Sequence, residues 1–355
     1  MRILFITPSN MCHMPYVNNY EEMIKKHSSS NIEITIINWD RQHIENVSEN
    51  TYRNSTSTIK KNFFQYINYS KFVKERIKNK KYDLIIIFGL QMLFFLKDLV
   101  KNSKDNNFIL DIRDKNKIVY FMNLNKIFEI INQVVISSEA YKEWLPSRNY
   151  LINHNTKLGI NNEFKILKKN EKDLNFDVIK ILALGSLRDF NANNKLIESL
   201  EDDKKYQIHY YGDGPVIEKI RNISTGFHNV FLFSRYEKKD EKKLARDASF
   251  INVLRYADSE NNRTALPNRL YLAAELGIPL LCYEGTYLSK VIETYKLGLV
   301  LNENKDFKTQ IEEYINSFDV KEFNKNREKF LLKISIDNND FKNKIMYLIN
   351  EEKRI

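Results

Sequence analysis

Cysteine is scarce in this sequence. The 355 residues include two cysteines, Cys12 and Cys282, which lie far apart in the chain. Two isolated thiols exclude a disulfide framework of the kind that stabilises small secreted proteins, and they exclude a zinc site built from clustered cysteines. This usage is typical of a protein from a reducing compartment.

Long apolar segments are also missing. The longest apolar stretch, residues 84–96, is interrupted by Gly89 and Gln91, and it is shorter than the about 20 residues needed to span a bilayer. The apolar start of the chain, residues 1–6, is cut short by Pro8, which argues against a signal peptide. We therefore expect a cytoplasmic protein.

Glycine is rare, and its distribution divides the chain. Of nine glycines, Gly89 stands alone in the first 158 residues, and the other eight begin at Gly159. The chain is more than twice as long as a typical domain of about 150 residues. Length and asymmetry together predict two domains that are built differently.

Acidic residues are outnumbered by basic ones. Lys and Arg total 56 against 46 for Asp and Glu, which gives a formal net charge of +10. Such a charge fits nucleic acid, an anionic membrane surface or a phosphorylated substrate. Lys, Asn and Ile are abundant throughout, as in proteins from AT-rich genomes, so the alternative is a merely solvated surface. No nucleic-acid recognition motif accompanies the charge, and we expect no nucleic-acid partner.

What is present is a series of short apolar runs separated by helical patterns. Runs that are apolar on both faces and alternate with helices predict parallel strands buried in α/β sheets. The runs are residues 3–6, 32–37, 84–88, 108–110 and 134–136 in the first half, and 179–184, 206–211, 230–233, 250–254, 279–282 and 298–301 in the second. An aromatic stripe in residues 58–78 is predicted to be the core face of a helix.

A polar, lysine-rich stretch separates the two series of runs. Residues 161–177 show no periodicity, as is typical of a linker. We therefore predict four parts: an N-terminal domain at 1–158, a linker at 159–178, a second domain at 179–337 and a terminal helix at 338–355. Apolar residues at helical spacing within 340–352 indicate this helix, and we expect it to pack back on the first domain.

Glycines follow two of the predicted strands in the second half. Gly185 and Arg188 come after the run 179–184, and Gly212 and Gly214 come after the run 206–211. Ligands of open α/β sheets bind beyond the carboxyl ends of the strands, and a glycine there lets a ligand approach the backbone. The pattern predicts a binding site at this edge, and plain turns are the structural alternative.

A helix with clear end signals is predicted downstream. Thr264 is predicted to cap it, Pro267 to lie in its first turn and Gly277 to end it before Pro279. The start of such a helix attracts an anion, and a diphosphate is the expected one. Arg263 and Arg269 flank this point, and Arg188 and Lys195 are placed to reach it. The alternative is an ordinary capped surface helix with incidental arginines.

Three segments of the second half resemble the nucleotide-binding domain of GT-B glycosyltransferases, particularly the family 4-like enzymes that build bacterial capsules and other surface polysaccharides. They are residues 181–188, residues 208–215 with their Gly-x-Gly-Pro, and residues 265–271 continuing to Gly277-Ile278-Pro279. The resemblance implies two Rossmann-like domains with parallel sheets facing across a cleft. The first domain would bind the acceptor and the second a nucleotide sugar, linked to UDP or GDP, with no further cofactor.

The first half carries weaker likenesses to the same family. Asp111-Ile112-Arg113-Asp114 is similar to an Asp-x-Arg-Asp element, residues 134–139 to a strand followed by Ser-x-x, and residues 153–155 stand where Pro-Asn-Gly is usual. An inverting transferase needs a base for the acceptor proton, and Asp111, Asp114 and His13 are the catalytic candidates. The alternative is that Arg113 pairs with one aspartate to fix a loop. His154 and His209 are predicted to be structural.

One departure from the family concerns ribose binding. Family 4 enzymes usually carry two glutamates eight positions apart, where this sequence has Thr264 and Leu272. Leucine cannot accept a hydrogen bond from a ribose hydroxyl, so recognition differs, moves to another residue such as Glu275, or is absent. The resemblance implies a retaining reaction, and this departure leaves the stereochemical outcome open.

The donor side can be specified further. No Asp-x-Asp cluster follows a predicted strand, so we expect no metal and transfer that relies on Arg188, Lys195 and the helix start. Tyr236 is a candidate for stacking on the base, or else a surface tyrosine. The expected donor-binding residues are Gly185, Arg188, Lys195, Gly212, Gly214, Tyr236, Arg263, Thr264, Ala265, Leu266, Pro267, Asn268 and Arg269.

Two functions are carried forward. The first is a cytoplasmic glycosyltransferase that adds a sugar to a glycan or lipid-linked acceptor, and lysines and exposed aromatics of its first domain would hold it at an anionic inner membrane face. The second is a non-catalytic GT-B-like scaffold that has lost the ribose-binding glutamate. The sequence does not specify the oligomeric state.

Overall fold

Two compact units make up the chain. The computed structural model describes residues 1–28, 31–58, 61–102, 107–160 and 176–351. The described residues divide into a first unit, 1–160 with 335–351, and a second unit, 176–334. Most of the predicted linker, residues 161–175, lies outside the described residues.

The first unit contains a parallel sheet of seven strands in the order β3-β2-β1-β4-β5-β6-β7. The strands are β1 Arg2–Ile6, β2 Glu33–Trp39, β3 Thr51–Tyr52, β4 Leu84–Phe88, β5 Asn107–Ile112, β6 Gln133–Ile136 and β7 Leu151–Ile152. All five residues of β4 are buried, because helices cover both faces of a parallel sheet. The five predicted runs are all strands. The two edge strands β3 and β7 were missed, since two residues leave no apolar run to recognise.

Five α-helices are described in the first unit before residue 160: α1 Pro15–His27, α2 Phe63–Ile77, α3 Leu90–Phe95, α4 Lys97–Asn102 and α5 Leu124–Phe128. Asn62 caps α2 by accepting a hydrogen bond from the Gln65 amide, and the Gln65 side chain caps the Asn62 amide in return. The predicted aromatic stripe is core only in part. Val73 and Ile77 are buried, but Phe63 and Phe64 at the start of α2 are 54% and 74% exposed.

The second unit contains a parallel sheet of six strands in the order β10-β9-β8-β11-β12-β13. The strands are β8 Ile179–Ser186, β9 Tyr206–Asp213, β10 Val230–Phe233, β11 Phe250–Asn252, β12 Leu280–Tyr283 and β13 Gly298–Leu301. The helices of this unit are α6 Phe190–Leu200, α7 Ile217–Ile223, α8 Glu241–Ala245, α9 Glu260–Thr264, α10 Asn268–Leu276, α11 Tyr287–Thr294 and α12 Phe307–Asn316. All six predicted runs are strands.

A last helix, α13, runs from Val320 to Glu351 over 32 residues. It begins well before the predicted terminal helix, and its residues from 335 onward belong to the first unit. Phe341 and Ile345 lie in the same buried cluster as Phe5, and the Phe341 ring meets Tyr20 edge-on with centroids 5.0 Å apart. The fold class predicted from the sequence is confirmed: each half is an α/β unit built on a parallel sheet.

The length of α13 raises the question of membrane insertion. Within the described ranges, no helix combines the length and the apolar character needed to cross a bilayer.

Candidate functional site

The carboxyl edge of the second sheet holds the glycine loops predicted to bind a ligand. Strands β8 and β9 extend two residues further than predicted, and Gly185 pairs with Gly212 inside the sheet. A β-carbon on Gly212 would stand 2.0 Å from the Gly185 carbonyl oxygen, and one on Gly214 would stand 2.2 Å from the Leu187 carbonyl oxygen. Close packing of two backbones therefore explains both glycines, which is the structural alternative to ligand approach.

Gly185 differs from these two glycines. Its φ is +93°, and a β-carbon there would have one neighbour within 4 Å, the Tyr236 hydroxyl oxygen at 3.9 Å. The space in front of Gly185 is thus open and lies beside Tyr236. The Tyr236 hydroxyl donates to Glu241 Oε1 at 3.1 Å, and burial together with this carboxylate raises the pKa of Tyr236.

Helix α10 starts later than its sequence signals predicted. Thr264 ends α9 instead of capping α10, and its hydroxyl donates to the Glu260 carbonyl at 2.6 Å. Pro267 occupies the N-cap position of α10, where its ring offers no oxygen to cap the helix. The predicted end is confirmed, since Gly277 adopts a left-handed conformation with φ of 71°.

Two arginines lie together beyond β11. Arg269 donates from Nη1 to the Asn252 carbonyl at 2.7 Å, and Arg255 hydrogen-bonds the Ala265 carbonyl. Burial, followed by the nearby charge of Arg255, lowers the pKa of Arg269 to about 10. Like charges held together in a partly buried place favour a bound anion. The sequence analysis found Arg269 but missed Arg255, which has no motif around it.

The other predicted donor-site cations are placed differently. Arg188 is exposed, and its Nε lies 3.4 Å from the Ser186 hydroxyl. Lys195 donates to the Glu303 carbonyl at 2.7 Å and lies 3.7 Å from the Glu303 carboxylate. Arg263 is paired with Glu260 on its own helix. The structure therefore gathers Arg269 with Arg255, while Lys195 and Arg263 each hold a carboxylate.

The remaining predicted donor-binding residues lie where α9 connects to α10. Leu266 is buried, Asn268 is exposed, and Ala265 and Pro267 are half-buried. Leu272, at the position where the resemblance implies a glutamate, is 8% exposed. Glu275, the candidate substitute, forms an ion pair with Lys242 at 3.0 Å, so its carboxylate already has a partner.

In the first unit, Asp111 is a fully buried ion-pair partner. Arg113 donates to both of its carboxylate oxygens at 2.5 and 2.7 Å, and the Tyr20 hydroxyl donates at 2.8 Å. Arg113 also donates to the Asn153 carbonyl at 2.8 Å. Burial opposes the charge of Arg113, but the Asp111 carboxylate raises its pKa. This geometry favours the structural alternative for Asp111.

The other catalytic candidates are accessible. Asp114 is exposed, and so is His13, whose Nε2 lies 2.7 Å from Gln42 Oε1. His154 is buried and its Nε2 lies 3.0 Å from Asp337 Oδ2. His209 is half-buried, and burial followed by the charge of Lys180 lowers its pKa to about 4. Both histidines make internal contacts, as predicted.

Across the part of the chain that the structure describes, no group of three or more His, Cys, Asp or Glu side chains is arranged to hold a metal ion.

Comparison with known proteins identifies the fold. No family model matches the chain, and no curated protein matches it. Sucrose-phosphate synthase from Thermosynechococcus elongatus superimposes with a TM-score of 0.67 at 10% identity, over 98% of this chain and 99% of that one. HepE from Anabaena in complex with UDP gives 0.66 at 12% identity, over 98% and 100%. The lipopolysaccharide outer core galactosyltransferase WaaB gives 0.64 at 14% identity, over 96% and 99%. At these identities the likeness establishes the fold, and the chain has the GT-B fold.

Proposed function

We propose that this chain is a glycosyltransferase that moves a sugar from a nucleotide diphosphate donor, linked to UDP or GDP, to a glycan or lipid-linked oligosaccharide. Its setting would be the synthesis of a bacterial surface polysaccharide. The observation that carries the proposal is the pair Arg255 and Arg269, held together beyond β11 in a fold shared with a UDP-bound protein.

The arginine pair suits the chemistry of sugar transfer. Breaking a sugar–diphosphate bond leaves negative charge on the phosphate, and fixed cations stabilise that charge as it develops. Arg255 and Arg269 would hold the diphosphate in a bidentate manner. The open space at Gly185 would admit the nucleotide, and Tyr236 beside it would contact the base.

On the donor side, we also propose that the transfer needs no metal and retains the configuration at the anomeric carbon of the sugar. Two guanidinium groups would supply the positive charge that a metal supplies in other transferases. Because Leu272 accepts no hydrogen bond, a backbone group would hold the ribose. Following the anomeric proton of the product by NMR decides between retention and inversion.

The first unit would bind the acceptor. The exposed Asp114 and His13 remain candidates for handling the acceptor proton, and Asp111 would position Arg113. The protein would work in the cytoplasm, in contact with the inner membrane face. Tyr120 and Phe121 are 74% and 76% exposed, and the Lys115 ammonium lies 5.7 Å from the Tyr120 ring centroid. Sedimentation with anionic vesicles tests this contact, and binding that is absent or insensitive to salt argues against it.

The test of the function is nucleotide binding by matched variants. Arg269→Gln is expected to weaken UDP or GDP binding by about tenfold or more, because a charged hydrogen bond to phosphate contributes about 1.5–3 kcal/mol. Arg188→Ala tests the more exposed candidate in the same titration. Arg221→Gln is the control, since Arg221 is an exposed arginine on α7 of the same unit. Unchanged affinity in Arg269→Gln would contradict the proposed donor site.

A second candidate is a non-catalytic scaffold with the same fold. The observation in its favour is Leu272, whose apolar side chain is buried where the family usually has a glutamate. A scaffold of this kind would show no turnover with any UDP- or GDP-sugar, and no thermal shift with either nucleotide. A shift with one nucleotide and release of that nucleotide from its sugar would favour the enzyme.

A further inference from the structure

Three hydrogen-bond donors lie together beyond the carboxyl ends of β1 and β2 in the first unit. Trp39 is the last residue of β2, and Arg41 follows it and donates from Nη2 to the Ser9 hydroxyl at 2.7 Å. The Lys61 ammonium lies 5.7 Å from the Trp39 ring centroid and 5.2 Å from the Tyr66 ring centroid. The function proposed above uses none of these three side chains.

Two of these donors have no acceptor. Trp39 is fully buried, and its indole Nε1 has no hydrogen-bond partner among the described residues. Across the same residues, Lys61 has no carboxylate within 4.0 Å. Buried donors are nearly always satisfied in folded proteins, so an orphaned indole N–H beside an uncompensated ammonium needs an explanation.

Lys61 and Arg41 place two positive charges close to each other. Burial, followed by the charge of the adjacent Arg41, lowers the pKa of Lys61 to about 7. Arg53, in the same part of the first unit, does have a carboxylate partner, because it donates to the buried Asp40 carboxylate at 2.7 Å. A Lys61 ammonium without such a carboxylate, next to a second positive charge, is unfavourable in the free protein, and a bound anion would remove the cost.

We propose that Lys61 and Arg41, with the indole N–H of Trp39 as a third donor, form a binding site for a phosphate-class oxyanion. Arg41 offers a planar fork that matches phosphate oxygens, and Lys61 offers a point charge. Both side chains are half-buried and keep contact with solvent, so a small anion can reach them.

The surroundings indicate what the phosphate is attached to. The Tyr66 ring stacks on Phe95 with centroids 5.1 Å apart, and Phe63 meets Phe95 at the same distance. Phe63 is 54% exposed, so an aromatic wall continues from the oxyanion site to the surface. Resting on the proposed function, the ligand is an acceptor that carries a phosphate or diphosphate next to a sugar or apolar portion.

The experiment reads out Lys61 itself. The intact protein is trace-acetylated with acetic anhydride at pH of about 8, with and without inorganic pyrophosphate, and each lysine is quantified by mass spectrometry. A bound oxyanion that raises the pKa of Lys61 by about two units lowers its neutral, reactive fraction roughly tenfold. Lys71 is the internal control, because it is exposed on α2, the helix that begins two residues after Lys61, and its acetylation is expected to stay constant.

A second readout uses Trp39. In a Trp144→Phe background, Trp39 is the only tryptophan, and pyrophosphate is expected to change its fluorescence. The change should disappear in Lys61→Met and persist in Lys71→Met, with circular dichroism confirming that both variants fold. The acetylation of the unmutated protein keeps the proposal testable if Lys61→Met does not fold.

Further arms identify the source of the phosphate. Phosphatidylcholine vesicles with and without phosphatidic acid replace pyrophosphate, and potassium chloride at equal ionic strength controls for screening. Protection by pyrophosphate assigns the site to a soluble phosphate, and protection only by phosphatidic acid assigns it to a lipid headgroup. The site is refuted if neither protects Lys61 beyond the salt control, or if Lys71 is protected equally. No nucleotide is used, so failure of the proposed sugar transfer leaves these readouts unaffected.

Discussion

At the scale of single residues, the same residue type takes opposite roles according to its neighbours. Asp111 and Asp114 belong to one short motif, yet Asp111 is buried between Arg113 and Tyr20 while Asp114 is exposed. The sequence predicted both roles for the motif and could not choose between them. The choice depends on Tyr20, whose approach to Asp111 follows from tertiary packing and leaves no local signal.

Replacing Asp111 tests its structural role. Asp111→Asn is expected to lower the free energy of unfolding by about 3 kcal/mol, because it leaves the buried Arg113 guanidinium without its carboxylate. Urea denaturation followed by circular dichroism measures the loss. Asp114→Asn is the control and should leave the unfolding midpoint unchanged. A stable Asp111→Asn protein that has lost only turnover would contradict the structural assignment.

Lys61 makes stability depend on pH. Its pKa is about 7 in the folded chain and ordinary in the unfolded chain, so the unfolded state binds more protons between about pH 7 and 10. Stability should therefore rise with pH across this window, by at most about 1.4 kcal/mol per pH unit. The charged or titratable neighbours are Arg41 on the loop after β2 and Tyr66 on α2.

The measurement is the difference in the free energy of unfolding between the unmutated protein and Lys61→Met at each pH. Subtracting the two pH profiles removes the titration of the tyrosines and Cys12, which both proteins share. Denaturation midpoints at several pH values, without phosphate in the buffer, give the difference. Parallel profiles would mean that the Lys61 ammonium is solvated.

At the scale of elements, the sequence was enough to predict which segments form the long strands, but not where each strand ends. Apolar runs identified the long strands because burial on both faces excludes polar residues. The ends of β8 and β9 were placed two residues early, since a glycine after an apolar run is usually a turn signal. Here Gly212 continues the strand, because its missing side chain lets β9 approach Gly185. Helix α10 was misjudged for a similar reason: Ser259 caps α9, and Thr264 ends it.

A matched pair of glycine substitutions tests the packing of β8 on β9. Gly212→Ala is expected to destabilise the second unit by about 2 kcal/mol or more, from both a positive φ and a clash with the Gly185 carbonyl. Gly226→Ala shares a positive φ but has no atom within 4 Å of the new β-carbon, so strain of about 1 kcal/mol is its whole cost. Thermal unfolding compares the two. Equal losses of stability in the two variants would mean that β8 and β9 move apart at little cost to make room for the new methyl group.

At the scale of the whole molecule, the two sheets were predictable and the long helix was not. Polar residues at 337–340 interrupt the apolar pattern of α13, and the predicted terminal helix therefore began at residue 338 and not at Val320. Asn338 lies in that polar stretch and is fully buried. Its Oδ1 accepts from the His154 amide and its Nδ2 donates to the Leu158 carbonyl, both at 2.8 Å. A side chain that satisfies distant backbone groups cannot be recognised in sequence.

Removing this contact should loosen the first unit. Asn338→Ala leaves a buried amide and a buried carbonyl unsatisfied, and the expected loss in the free energy of unfolding is about 2–4 kcal/mol. Asn339→Ala, at the neighbouring half-buried position, controls for helix propensity. Hydrogen exchange of the His154 amide should accelerate in Asn338→Ala alone. An unchanged exchange rate would show that water replaces the side chain.

The path of α13 also has a consequence for how the protein is made. The core of the first unit contains Phe5 near the start of the chain and Phe341 and Ile345 near its end. A ribosome must therefore translate the whole second unit before the last side chains of the first core leave the exit tunnel. Until then the nascent first unit carries an unfilled apolar surface, and a chain stalled before residue 341 would be a natural client for a chaperone.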